Sequence, residues 1–453
     1  MEETLRKDSR SFYYRRMLTV TIPVVIQNLL NIGLNMADTV MIGRLGELEL
    51  AATGAGNQAF NIFASLCFGF YSGAGVFVAQ YFGAKNIRNI RRIVGFDIIV
   101  GLVIASGFLA AVQIMPEGVI RIFTDDPQVI SEGVIYVRIV SFSYVMTALS
   151  FAVSFNSRAI QRLKAPTVIN ASALIMNCVL NYILIYGKLG APALGVKGAA
   201  LATLIARGYE MAALFAYVIL VKDHPLHAAI SEYFRRDVAL YKNVVRTAMP
   251  VVFSEGGWSL GMTLVFATYG LIGPSALAVI QVASMTGQIF QSVIFGFGNG
   301  ASVVVGETLG RRCVDEAVEH SGRTIRIALV MIVIMVAGII SVINPVSELY
   351  GFGAETTLLL KKTIAVYAFT MMPRMMSYVL QCGILRAGGD TLFCMVTELL
   401  GNLVIELIMA YTAVVFLGWP LYMCIALASL GNVFKMTANY LRYRSRKWIN
   451  IVI

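Results

Sequence analysis

The stretch "IALVMIVIMVAGIISVI", Ile327 to Ile343, limits this chain more than any other feature. Seventeen residues without a charge or a strong turn former fit no exposed helix of a soluble domain, and with their flanks they reach the roughly 20 residues that cross a bilayer. Similar blocks recur along the whole chain. Charged residues make up only 13% of its 453 residues, about half the share usual in soluble domains. The pattern predicts an all-α polytopic membrane protein, because inside lipid each helix satisfies its own backbone.

Twelve spans are expected, near 17–41, 54–80, 93–114, 129–154, 166–186, 196–221, 245–269, 276–306, 322–343, 362–385, 393–417 and 419–441. Twenty-seven of the 36 Lys and Arg residues fall at the N-terminus, the C-terminal end and alternate loops, and six at the intervening ends. That alternation supports an even number of spans with both termini cytoplasmic, in a cell (inner or plasma) membrane. It also assigns the net charge of +11 to topology rather than to nucleic acid. The N-terminus carries no secretory signal. The cysteines, Cys67, Cys178, Cys313, Cys382, Cys394 and Cys424, show no CxxC and read as helix-packing residues rather than disulfides or a zinc site.

The chain repeats itself at an offset of 227. "IFASLCFGFYSGA" (from Ile62) lies on "IFQSVIFGFGNGA" (from Ile289) with eight of thirteen positions identical. The same offset pairs Pro23 with Pro250, Gly43 with Gly270, Gly46 with Gly273 and Gly83 with Gly310. Two six-helix repeats are expected, related by a pseudo-two-fold axis along the membrane normal. They form an N-terminal lobe over 1–221 and a C-terminal lobe over 245–453. The cytoplasmic linker, 222–244, carries a partly apolar stripe of Ile230, Tyr233, Phe234 and Tyr241, which suits the membrane interface. His224, His227 and His320 read as solvated surface.

Carboxylates inside spans are costly and mark function by default. Asp97 reads as interfacial because Arg91 and Arg92 are near, and Glu210 as half of an ion pair with Arg207, three residues away. Asp38, within "NIGLNMADTV", has no cation within five residues in sequence. Asn177 and Asn181 of the fifth span lie one turn apart on one face, and Thr203 of the sixth lies at similar depth. Together the four form a candidate cation-binding set for Na⁺ or for a proton carried by Asp38; bridging of helices by the asparagines explains the same spacing. Glu255, in "PVVFSEGGWSLG", lies roughly 15 Å into the seventh span at helical rise. Glu398 and Glu406 share a face of the eleventh, where Arg374 of the tenth can join them. Glu255 and Glu406 are candidates for substrate contact or a second cation. "GFYSG" (from Gly69) and "GFGNG" (from Gly296) read as close-packing GxxxG patterns. No HExxH, GxSxG or Walker loop appears, so an enzyme or an ATP-driven pump has no support.

Nearly end to end, the chain resembles the multidrug and toxic compound extrusion (MATE) transporters. The motifs are "ADTVMIGRLGELELAA", "GAGVFVAQYFGAKN", "LNYILIYGKLGAPALGVKGAALAT", "PVVFSEGGWSLG", "LRAGGDT" and "RSRKWI". The resemblance implies two six-helix lobes around a central cavity. It also implies Na⁺- or H⁺-coupled antiport exporting organic cations or amphiphiles by alternating access, by a monomer that needs no cofactor beyond the coupling ion. The family's N-lobe cation residues match Asp38, Asn177, Asn181 and Thr203, with Asn181 standing where some relatives have aspartate. Its seventh-helix glutamate matches Glu255. The tenth-helix aspartate of some relatives has no counterpart here, where Arg374 and Met375 stand. A lipid-linked saccharide flippase of similar build is the rival reading; it favours an Arg-rich cavity, whereas only Arg138, Arg207 and Arg374 remain once the 27 and six loop and end charges are set aside.

Overall fold

The computed structural model describes residues 2–350 and 352–453, with side chains described from Tyr13 onward. The charges of Arg6, Lys7 and Arg10, counted above for topology, therefore lie outside the described side chains. Among the described residues all regular structure is helical.

Among the described residues nine helices are long and apolar enough to cross a membrane. They are α1 (Glu2–Gly43), α2 (Glu47–Gly83), α3 (Ile87–Ile114), α6 (Lys164–Tyr186), α7 (Val196–Leu220), α9 (Pro274–Gly310), α10 (Val314–Ser341), α12 (Thr391–Phe416) and α13 (Leu421–Arg444). The fourth expected span is not one straight helix. It is split into α4 (Pro127–Val140) and α5 (Phe142–Ala159), bent by 47° at Ser141. Two further long helices, α8 (Val238–Gly270) and α11 (Ala354–Tyr378), contain Pro250 and Pro373, and α1 contains Pro23. Each proline removes one ladder hydrogen bond that a membrane helix must satisfy by other means. The chain is thus a polytopic all-α protein of twelve membrane-crossing segments in two repeats.

The duplication appears in the helix boundaries themselves. α2 and α9 are both 37 residues long, and both begin and end at the offset of 227. α3 and α10 are both 28 residues and keep the same register. Two stretches that reproduce element ends this closely are reading one structural plan.

Contacts divide the chain into two compact units. One holds Ile26–Val78 and Lys85–Arg246. In it the linker folds onto α3: Arg91 pairs with Glu232 at 2.6 Å and Arg92 with Asp237 at 2.9 Å. Gly95 leaves no room for a Cβ against the Tyr233 carbonyl. Those acids take the arginines that Asp97 was expected to meet. Asp97 is instead fully buried and accepts from Asn156 Nδ2 at 2.7 Å. His224 is buried too, contrary to the solvated reading, and accepts the Leu226 backbone N–H at 3.2 Å. Burial, with Arg162 and His227 adding like charge, pushes its pKa down to about 4.

The other unit holds Met1–Val25, Ala79–Ala84 and Thr247–Ile453. Its core is rich in Val, Ile and Met from α9 to α13. Close backbone approach is built from glycine here: Gly296 and Gly300 face Val25 and Thr21, and Gly83 and Gly310 face the backbones of Glu307 and Gln80. Gly83/Gly310 and Gln80/Glu307 are equivalent pairs under the 227 offset, so the crossing is itself two-fold. His320 is also buried, its ring 5.0 Å from that of Tyr13. Both histidines sit in polar sequence, and packing by distant elements overrode that signal.

Candidate functional site

The first unit contains a cavity of about 370 Å³ lined by Asp38, Asn177, Asn181 and Thr203 together. Four positions from three helices meet there for local reasons. Asn177 and Asn181 share one face of α6. Gly187 ends α6 in the left-handed region at φ +67°, and Gly195 turns the chain back at φ +55°. Gly198 then lets α7 run against the Leu184 carbonyl, where a Cβ would stand 2.5 Å away. That approach brings Thr203 level with Asn177. Tyr186 donates to the Met41 carbonyl at 2.7 Å and ties α6 to α1 just below Asp38.

Both oxygens of Asp38 receive amide N–H groups. Asn181 Nδ2 donates to Oδ1 at 2.8 Å. Asn177, turned so that both its ends are satisfied, donates to Oδ2 at 3.0 Å and accepts from the Thr203 N–H at 3.2 Å. The Thr203 hydroxyl donates to the Ala199 carbonyl at 3.0 Å. Asn181 Oδ1 is buried without a partner, which leaves one unused acceptor beside the carboxylate. Charge-assisted bonds of this kind hold an anion in place, but they bring no positive charge.

The one base on this cavity is already engaged. Arg207, one turn beyond Thr203, pairs with Glu210 at 2.7 Å, as the three-residue spacing predicted. Glu210 is buried and also accepts from Asn170 at 2.8 Å. Counting formal charges, Asp38 and Glu210 against Arg207, the cavity carries a net charge of minus one.

The acids of the second unit are placed differently. Glu255 pairs with Arg386 at 3.0 Å. Glu398 is buried and pairs with Lys435 at 3.1 Å. Lys435 also donates to Asn402 Oδ1 at 2.7 Å, and Arg442 grips Asp390 at 2.6 and 3.1 Å. The expected network of Glu398, Glu406 and Arg374 does not form: Lys435 takes Glu398, and among the described residues Arg374 has no carboxylate within ion-pair distance. Glu406, at the end of a π-helical stretch (Leu400–Glu406) of α12, accepts from Asn432 at 3.3 Å.

Comparison with known proteins agrees with this architecture. The MatE family model matches residues 23–183 and again 250–412, once in each repeat and starting at the two equivalent prolines. The chain belongs to the MatE family. Among the relatives of this MatE chain, the probable multidrug resistance protein NorM of Bradyrhizobium diazoefficiens is 28% identical over 298 residues, which cover 65% of this chain and 63% of that protein. The protein of the same description from Neisseria meningitidis serogroup B is 23% identical over 363 residues, covering 79% and 78%. A crystal structure of a MATE protein in a bent conformation shares the fold with a TM-score of 0.86 at 18% identity, covering 96% and 95%. A Vibrio cholerae MATE transporter does so with 0.88 at 16%, covering 98% and 99%.

Sequence reasoning brought Asp38, Asn177, Asn181 and Thr203 together and the structure juxtaposes them. It missed Asn170 and two of the bases buried in the second unit. Arg386 and Lys435 were counted as loop and terminal charges, yet each is buried against an acid of another helix. The available signal was an apolar neighbourhood: Arg386 follows "VLQCGIL" and Lys435 follows "LGNVF".

Proposed function

We propose that this MatE protein is a cation-coupled antiporter of the inner or plasma membrane, with cytoplasmic termini, that exports organic cationic or amphipathic compounds. Na⁺ or H⁺ at Asp38 drives the cycle. The observation that carries this reading is a half-buried carboxylate held by two amide donors and by no base, beside an unused buried oxygen, in a cavity of net charge minus one.

An uncompensated charge on a membrane helix costs several kcal/mol or more. A mobile cation removes that cost when it binds and restores it when it leaves. The amides fit both states: their N–H groups stabilise the ionised carboxylate, and a half-turn of either presents oxygen to a cation. The two conformations of the N-terminal half then differ in cation affinity, and a ligand shifts a conformational equilibrium only by such a difference. An ion moving down its gradient can thereby reset the protein for the next substrate.

The relatives described as multidrug resistance proteins support the choice of organic substrates. The rival flippase reading favours an Arg-rich cavity, whereas among the described residues lining the Asp38 cavity Arg207 is the one arginine, and it pairs with Glu210. The test is export of a panel of organic cations from proteoliposomes under imposed Na⁺ or pH gradients. Export should follow one gradient and stop when that gradient is collapsed. Export indifferent to both would reject coupling.

A further inference from the structure

A second cavity, about 60 Å³, lies wholly within the unit that holds α8 to α13. Arg374 and Glu406 line it with Tyr269, Tyr367, Phe266 and Asn432. Among the described residues neither charge is spent on a protein counter-ion. Glu406 accepts only the Asn432 amide at 3.3 Å. Arg374 reaches only the Met262 thioether, at 2.9 Å, a weak acceptor. No Arg374–Glu406 contact falls within ion-pair distance, although both face one small space.

That arrangement is unusual for its surroundings. In the same unit Glu255, Glu398 and Asp390 each meet a base at 2.6 to 3.1 Å. Leaving a buried acid and a half-buried base apart costs more than joining them, since each keeps its own desolvation penalty. Pro373 lies within α11 beside Arg374, and Glu406 ends a π-helical stretch, a feature frequent at functional sites.

We propose that this cavity binds a small zwitterionic group, its ammonium against Glu406 and its carboxylate against Arg374. A bare organic cation meets the guanidinium charge, and a bare anion meets the carboxylate. A metal ion gains nothing from a cavity whose two charges cancel. Guanidinium holds a carboxylate through two parallel bonds, and the faces of Tyr269, Tyr367 and Phe266 suit an ammonium. One water needs about 10–15 Å³ of such space, so the cavity accepts a few heavy atoms, either a small amino acid or the charged end of a larger amphiphile. This site widens the substrate class beyond simple cations. It is independent of the coupling reading, since none of its residues lies in the unit that holds Asp38.

The test is calorimetric titration of the purified full-length protein, without any gradient, using ω-amino acids from glycine to 6-aminohexanoate. Each is compared with the amine and the carboxylic acid of equal chain length. One member of the series should bind at least tenfold more tightly than both controls. Arg374→Gln should then bind the matched amine as well as the zwitterion, and Glu406→Gln the matched acid as well as the zwitterion. These opposite changes of preference are not produced by damage to the fold, and Arg374→Lys, which keeps the charge, should retain the wild-type order. The proposal is overturned if no zwitterion exceeds its controls, or if both variants lose all three ligand types equally. Retained export by an Asp38 variant would refute coupling and leave this result untouched.

Discussion

Asn181 donates its amide N–H to Asp38 at 2.8 Å, while the oxygen of the same amide is buried without a partner. The residue is therefore half used in the conformation described. Asn181→Asp places a second carboxylate against the first, and two adjacent carboxylates cannot both stay ionised without a cation. The cation concentration that half-saturates export should fall about tenfold, roughly 1.4 kcal/mol, and maximal turnover should slow as release becomes harder. An unchanged or higher half-saturation value would place the cation elsewhere.

Glu210 pairs with Arg207 at 2.7 Å, one turn from Thr203. Glu210→Gln releases that guanidinium one turn from Thr203, where Asp38 is the remaining acid of the cavity. A tethered base then competes with the mobile ion, and coupled export should fall at least tenfold, about 1.4 kcal/mol or more, with the protein still folded. Arg207→Gln combined with Glu210→Gln removes the competitor and should recover most of the lost rate. Initial export rates of the two variants, normalised to reconstituted protein, decide this.

Arg386 and Glu255 are a structural pair, and their value lies in mutual compensation. Glu255→Gln removes the carboxylate that Arg386 meets at 3.0 Å and should cost about 3–5 kcal/mol, visible as a lower thermal midpoint of the detergent-solubilised protein. Replacing both, with Glu255→Leu and Arg386→Met, should regain at least half of that loss. If the single variant is as stable as the parent, Glu255 is available for transport chemistry after all.

The linker carries its own acid sensitivity through His224. Its pKa is depressed to about 4 in the folded chain, against roughly 6.5 when unfolded. Between those values the unfolded linker binds a proton that the folded one refuses, so stability falls as pH drops from 6.5 towards 4 and is unaffected above it. Protonation also removes the lone pair that accepts the Leu226 N–H. Amide exchange over 221–237, corrected for intrinsic rates, should quicken at pH 5 relative to pH 7.5. His224→Gln should flatten that difference.

Legibility in the sequence followed the range of the interactions. Twelve spans were readable because hydropathy acts over a window of consecutive residues, and the duplication because Gly83, Gly310 and the two "PVV" segments keep one offset. Asp38, Asn177, Asn181 and Thr203 could be joined because one-turn spacing and depth place residues on known faces. The bend at Ser141 was not readable, as no proline or glycine marks it. Arg386 and Lys435 escaped notice because their acids lie 131 and 37 residues away in the chain, with no local spacing to signal either pair. Asp97 was misplaced because its arginines, near in sequence, are claimed by Glu232 and Asp237 of the linker. His224 and His320 were misread because polar neighbours in sequence do not reveal which helices cover a side chain.

The most direct measurement is gradient-driven export by Asp38→Asn in sealed proteoliposomes, alongside wild type and with folding verified by monodisperse elution. The variant is nearly isosteric and keeps the cavity, but it presents no charge for an ion to neutralise. The account predicts that substrate still binds and that export no longer responds to a Na⁺ or pH gradient. Export by the variant at the wild-type rate, driven by either gradient, would contradict it.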